Sequence, residues 1–364
     1  MLRCKRCLMP NTLPGSDFDA EGVCSWCRNA YPNYTVKGEE RLGNKFRGLR
    51  IHQGRADCIV GLSGGKDSTY ALYRLVSHYG LKAEAFIYTH RGSRDFALAN
   101  ARRSCQILRV PLHQVFLPRD AHKRSFLQYF RAWLDHPDAI SANMTCVACK
   151  HLHILGSRIA TTARAPYVVW SSTPLEYSPF LALKHKGDAA HPYRREGMLQ
   201  GALKLVGETF RSPSFRKGLF IYPKLTVLGC AAVFPDSAFL TRRFPNVKPL
   251  MFYAYERWNP ELILRSISTE LDWQSPPDTL EDWHTDCLFN VFKEYMFQKM
   301  YGVSYTDAHL SNQIRHNYIT REQAIQKLRD SKRYYASSLQ PALRELGAED
   351  LMCRIDPECF NVEI

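Results

Sequence analysis

The chain has 364 residues with 45% apolar content, enough to bury a sizeable core and to form about two domains. No apolar run is long enough to span a bilayer, and the opening "MLRCKRCLMP" lacks the apolar stretch of a secretory leader, so a cytoplasmic chain without a membrane span is expected. The formal charge of +14, from 49 basic and 35 acidic residues, raises nucleotides, nucleotide sugars or RNA as ligands, although a solvated basic surface accounts for it equally well.

Residues 1–40 read as a small metal-stapled module. "CKRC" and "CSWC" supply Cys4, Cys7, Cys24 and Cys27, two Cys-x2-Cys pairs whose thiolates suit a closed, tetrahedral structural Zn2+ site. From about residue 55 the pattern alternates. "CIVGL" reads as a buried strand, "STYALYRLVSHYG" as a helix closed by Gly80, and "EAFIYTH" as a second strand. "RDFALANARRSCQILR" is a basic amphipathic helix, "PLHQVFLP" a third strand, "CVACKHLHILGSRIATTARA" a helix and "PYVVWSS" a further strand. Such alternation predicts an α/β fold, a parallel sheet with helices on both faces. Residues 181–225 interrupt it and read as an insertion or lid within an ATP-binding domain at 55–265. Residues 266–364 form a helical C-terminal region.

Between the first strand and its helix lies "SGGKDS". Gly64 and Gly65 allow successive amides to face one concavity, and the following helix adds unpaired N–H groups and a positive dipole end. Ser63, Lys66 and Ser68 supply side-chain donors, and Asp67 holds Mg2+ or fixes the turn. Gly61 and Leu62 lead into this loop, and Thr89, ending the second strand, joins the nucleotide-binding set. The loop is too short for a Walker A motif. A plain strand-to-helix turn is the alternative.

"SGGKDS" resembles the signature of the PP-loop ATP pyrophosphatases. The resemblance implies an adenine nucleotide alpha hydrolase-like sheet whose loop holds the β,γ-pyrophosphate of ATP while an acceptor oxygen attacks the α-phosphorus. Lys66 and Asp67 would then be catalytic. "CKRCLMPNTLPGSDFDAEGVCSWCRN" and the C-terminal "DWHTDCLFNVFKEYMFQKMYGVSYTDAHLSNQIRHNYITREQAI" resemble the N-acetyl sugar amidotransferases, a zinc-ribbon subfamily. That implies amidation of an N-acetyl sugar, with ammonia supplied by a separate donor protein and a homo-oligomeric assembly. Glu176 and Tyr177, in "APYVVWSSTPLEYSPF", and Asp307 and Arg315 would face the acceptor. Ser171 and Ser172 depart from the Gly-Glu pair expected there.

Cys146 and Cys149 open a predicted helix, where thiolates are favoured, and Cys230 is a candidate third thiol. This arrangement resembles the cluster ligands of PP-loop tRNA thiolases. It implies an alternative function, ATP-dependent sulfur transfer to a nucleobase, free or in tRNA, with an iron–sulfur cluster or a sulfur-donor protein. Buried structural cysteines are the plainer reading. A non-catalytic zinc-ribbon nucleic-acid binder is a further alternative, opposed by the complete Lys66-Asp67-Ser68.

Overall fold

The computed structural model describes residues 1–13, 16–28, 36–47, 49, 54–176, 207, 211–279 and 283–361. A five-stranded parallel sheet in the order β3-β2-β1-β4-β5 forms its centre: β1 (Cys58–Gly61), β2 (Ala83–Tyr88), β3 (Leu112–Val115), β4 (Tyr167–Trp170) and β5 (Lys248–Met251). Cys58 lies opposite Ala83 on one side and Tyr167 on the other, so β1 is central and its apolar run is buried on both faces. The outer pairs, β2 with β3 and β4 with β5, are parallel as well.

Parallel strands need long returns, and helices supply them. After the ribbon helix α1 (Ser25–Arg28) and α2 (Glu39–Arg47) come α3 (Lys66–Tyr73), α4 (Asp95–Leu108), α5 (Ala121–Asp135), α6 (Ala139–Met144) and α7 (His151–Ala163). The side chains of β1 alternate between two cores. Val60 packs with Ala71, Leu72 and Ala101 of α3 and α4, whereas Ile59 packs with Ala160 and Ala163 of α7. The expected helix from Cys146 starts as a 3-10 turn, Val147–Lys150, and becomes α-helical only at His151.

Of the expected insertion, residues 211–225 are described and are largely helical; 181–206 and 208–210 lie outside the described residues. α8 (Pro213–Ile221) sits on α5, with Ser214 Oγ donating to the Ala132 carbonyl at 2.8 Å. α9 (Pro223–Ala231) and α10 (Ala238–Arg243) lead to β5, and α11 (Pro260–Leu271) closes the sheet core with Ile263 and Ile267. The C-terminal region is helical: α12 (Asn290–Tyr301), α13 (Tyr305–Arg315) and α14 (Arg321–Leu346). It shares one apolar cluster with the N-terminal module, in which Cys4, Cys7, Cys24 and Cys27 join Phe292, Tyr295, Tyr305 and Leu339. Among the described residues, no helix is long and apolar enough to cross a membrane.

Candidate active site

In open parallel sheets, ligands bind beyond the carboxyl ends of the strands, where the strand order reverses. Here that crevice opens beyond β1 and β4. Gly61 ends β1, and the Leu62 amide still donates to the Phe86 carbonyl at 2.9 Å before the chain turns. Gly64 then takes φ +84, and a Cβ added there would lie 1.9 Å from the Ala97 carbonyl oxygen on α4. Glycine is required on both counts. Trp273 Nε1 donates to the Gly64 carbonyl at 2.9 Å, which fixes this peptide. The Ser63 amide donates to Ser68 Oγ (3.1 Å), and the Gly65 amide donates to Ser63 Oγ (3.2 Å). α3 begins at Lys66, so the positive end of its dipole lies beside the loop.

Lys66 is 3% exposed, with Nζ 3.4 Å from Asp67 Oδ2 and 5.8 Å from the centre of the Trp258 ring. Trp258 Nε1 donates to Asp67 Oδ1 at 2.7 Å, and the Tyr253 hydroxyl donates to the Asp67 carbonyl at 3.1 Å. Glu176, in the turn after β4, is pushed up to about 8 by burial and then by the Asp67 charge, with Lys66 pulling the other way. Burial also raises Asp286, against a hydrogen bond with Ser63 and the charge of Lys66. Asp67 thus contacts the buried ammonium, and Glu176 and Asp286 both feel its charge. Thr89 follows β2, its hydroxyl accepting from Gln114 Nε2 at 3.2 Å.

Further along the cleft lie Lys150, Lys293, Cys146 and Cys149. Burial and the Lys293 charge lower Lys150. Its hydrogen bond with Cys149 draws Cys146 down to about 6 against burial, with Lys293 and Lys150 assisting, and Cys149 moves the opposite way. His122 Nε2 lies 3.1 Å from Cys149 Sγ, and the His90 ring centre lies 3.9 Å from that of His122. Cys287 Sγ is 3.8 Å from His90 Nε2. Cys230 instead packs beside the apolar cluster of Tyr129, Val147 and Phe215.

The four N-terminal cysteines are buried and form a group that could hold a metal ion. Cys4 and Cys27 Sγ are 3.9 Å apart, and Cys7 and Cys24 Sγ 3.7 Å apart. A tetrahedron with 2.3 Å metal–sulfur bonds has edges of about 3.8 Å. The amides of Cys7 and Cys24 point at Cys4 Sγ, at 3.5 and 3.3 Å, as a thiolate requires. This module is tied to α13: Arg3 Nη1 pairs with Asp307 Oδ1 at 2.7 Å, and Arg315 Nη1 donates to Cys7 Sγ at 3.3 Å. Burial would raise the Asp307 carboxyl, but Lys332, Arg3 and Ser304 outweigh it and hold it below its usual range.

The loop residues, Lys66, Asp67 and Glu176 are therefore brought together, and Cys146 and Cys149 lie farther along the same cleft. Asp307 and Arg315 are placed under the cysteine module. Tyr177 lies outside the described residues. His90, His122 and Lys150 carried no local signal in the sequence, whereas Asp286, Cys287 and Lys293 stood in the C-terminal stretch quoted for the amidotransferase resemblance.

No protein-family model and no curated protein matches the sequence. Among solved structures, the chain is similar to the NMN synthetase from Francisella tularensis, with 14% identity and a TM-score of 0.30, over 76% of this chain and 91% of that one. It is similar to the U34-tRNA thiolase NcsA from Methanococcus maripaludis with its [4Fe-4S] cluster, with 13% identity and a TM-score of 0.35, over 90% and 89%. A third is the NH3-dependent NAD synthetase from Campylobacter jejuni subsp. jejuni NCTC 11168 in complex with the nitrate ion, with 14% identity and a TM-score of 0.27, over 52% and 89%.

Proposed function

We propose that the chain is a PP-loop, AMP- and pyrophosphate-forming ligase that adenylates an amide or carbonyl oxygen of a small acceptor, an N-acetyl sugar, and lets ammonia displace AMP. The observation that carries this is the buried Lys66 ammonium, set at the glycine loop among Asp67, Glu176 and Asp286. A buried cation at the positive end of a helix dipole favours a polyphosphate, and its stabilisation is strongest where charge builds on a departing pyrophosphate.

The acceptor oxygen forms a bond to the α-phosphorus as the bond to pyrophosphate breaks. Ammonia then adds at the activated carbon, and AMP leaves with the former oxygen. Asp67, Glu176 and Asp286 offer the hard oxygen donors that Mg2+ takes. When bound there, Mg2+ would neutralise charge on the leaving group. The Cys4, Cys7, Cys24 and Cys27 spacing fits structural Zn2+. No step of the chemistry uses it.

One observation favours the sulfur-transfer alternative: Cys146 and Cys149 lie in the same cleft, and the Lys150 they face also interacts with Glu176. Ammonia separates the two readings. With ATP, an N-acetyl sugar acceptor and ammonium, amidation predicts acceptor-dependent AMP and pyrophosphate, largely retained in Cys149→Ser. Sulfur transfer predicts no product with ammonium and complete loss in Cys149→Ser, because a hydroxyl cannot carry a persulfide.

A further inference from the structure

Beyond the end of β2, the cleft gathers nitrogen and sulfur donors that neither nucleotide binding nor adenylation employs. We infer that His90, His122 and Cys149 form a mononuclear site for a divalent transition cation of the zinc class, with Cys146 or Cys287 available to complete the shell. One ligand atom from each of His90, His122 and Cys149 lies within 4.8 Å of the others. These residues come from three separate segments: the turn after β2, the first turn of α5 and the 3-10 turn before α7.

The chemistry of the set selects the ion. Two imidazoles and a thiolate, with no carboxylate among them, suit zinc, cobalt or ferrous iron and disfavour magnesium and calcium. Tetrahedral zinc places nitrogen and sulfur ligands about 3.5 Å apart. His122 Nε2 and Cys149 Sγ, at 3.1 Å, are already close to that edge.

His122 also has capacity that packing leaves unused. It is 3% exposed, one ring nitrogen faces Cys149, and Nδ1 is buried with no hydrogen-bond partner. Buried polar atoms are almost always paired, which marks this ring as set for something beyond packing. His90 is the member that must rearrange. The Gly92 amide donates to its Nδ1 at 3.1 Å, leaving the proton of the neutral ring on Nε2, towards Cys287. Ligation through Nε2 moves that proton to Nδ1 and gives up the Gly92 contact. Binding also releases the Cys149 thiol proton.

The test is a cobalt titration of the full-length chain, stripped of metal and kept anaerobic, with zinc content measured in parallel. The cysteine module fills as a four-thiolate site. A second ion per chain is expected, with weaker thiolate-to-cobalt absorption because it has fewer sulfur ligands. Cys149→Ser and His122→Gln should each lose this second ion and leave the four-thiolate spectrum unchanged. If either variant fails to fold, the wild-type titration still decides. Saturation at one ion would overturn the assignment, as would variants that keep the second. Iron with acid-labile sulfide in the purified chain would overturn it too, because the thiols would then belong to a cluster.

Discussion

Trp258 Nε1 donates a 2.7 Å hydrogen bond to Asp67 Oδ1 across 191 residues of chain, joining the segment before α11 to the first turn of α3. The same indole ring lies over Lys66. Trp258 therefore orients the carboxylate next to the ammonium instead of only filling space. Trp258→Phe keeps most of the buried ring but removes a hydrogen bond to a charged group, a loss of about 1.5–3 kcal/mol. ATP-dependent pyrophosphate release should fall roughly ten- to hundredfold. Unchanged steady-state kinetics in a folded variant would separate Trp258 from the site.

Gly64 and Gly65 should respond very differently to alanine. At Gly64, φ +84 and the Ala97 carbonyl at 1.9 Å both oppose a side chain, so Gly64→Ala should cost at least about 2 kcal/mol and abolish ATP binding. Gly65 has φ −74 and would meet only Ser63 Oγ at 3.2 Å. Gly65→Ala should bind ATP within roughly tenfold of wild type, a difference of about 1.4 kcal/mol. Calorimetric titration with ATP compares the pair directly.

The cysteine module should be coupled to α13. The side chains of Arg3 and Asp307 are 6% and 0% exposed, and breaking such a buried pair costs about 3–5 kcal/mol. Lys332, 3.8 Å from Asp307, softens the loss, so Arg3→Ala should lower stability by about 3 kcal/mol. Salt should change this little, because buried pairs are poorly screened. Cys24→Ser should reduce zinc content and unfolding midpoint together; a metal-free Cys24→Ser chain as stable as wild type would remove the zinc assignment.

Glu176 gives a pH signature. Its folded pKa of about 8 lies above the ordinary 4.5, so the folded chain holds a proton that the unfolded chain releases. Stability from this group is full below about pH 4.5 and is lost as pH rises towards 8. Glu176→Gln resembles the protonated form and should escape that loss. In the absence of nucleotide, the melting temperature of Glu176→Gln relative to wild type should therefore climb from pH 5 to pH 8. A constant difference would mean that Glu176 ionises normally.

The sequence exposes features whose chemistry is contiguous. Ser63 to Ser68 stands out because the proposed phosphate loop needs its donors side by side, and the four cysteines because a four-thiolate metal site needs two close pairs. β1, β2, β3 and β4 stand out as short apolar runs between turns. β5 does not, since Lys248 and Pro249 spoil the pattern; an edge strand tolerates a proline that a central strand would reject. His90, His122 and Cys287 come from distant segments, so only folding brings them together. Asp307 shows the converse. An acidic residue at a helix start serves a ligand or a cap equally well in sequence, and here it caps α13 and pairs with Arg3. Gly302, in the stretch quoted with the same resemblance, likewise ends a helix.

The central claim is that the loop holds the leaving pyrophosphate while chemistry occurs at the α-phosphorus. The most direct measurement is the fate of ATP by phosphorus NMR, with an N-acetyl sugar acceptor and ammonium present. The account predicts AMP and pyrophosphate in equal amounts, dependent on acceptor, and neither product from a folded Lys66→Ala chain. ADP and orthophosphate from the wild-type chain would contradict it.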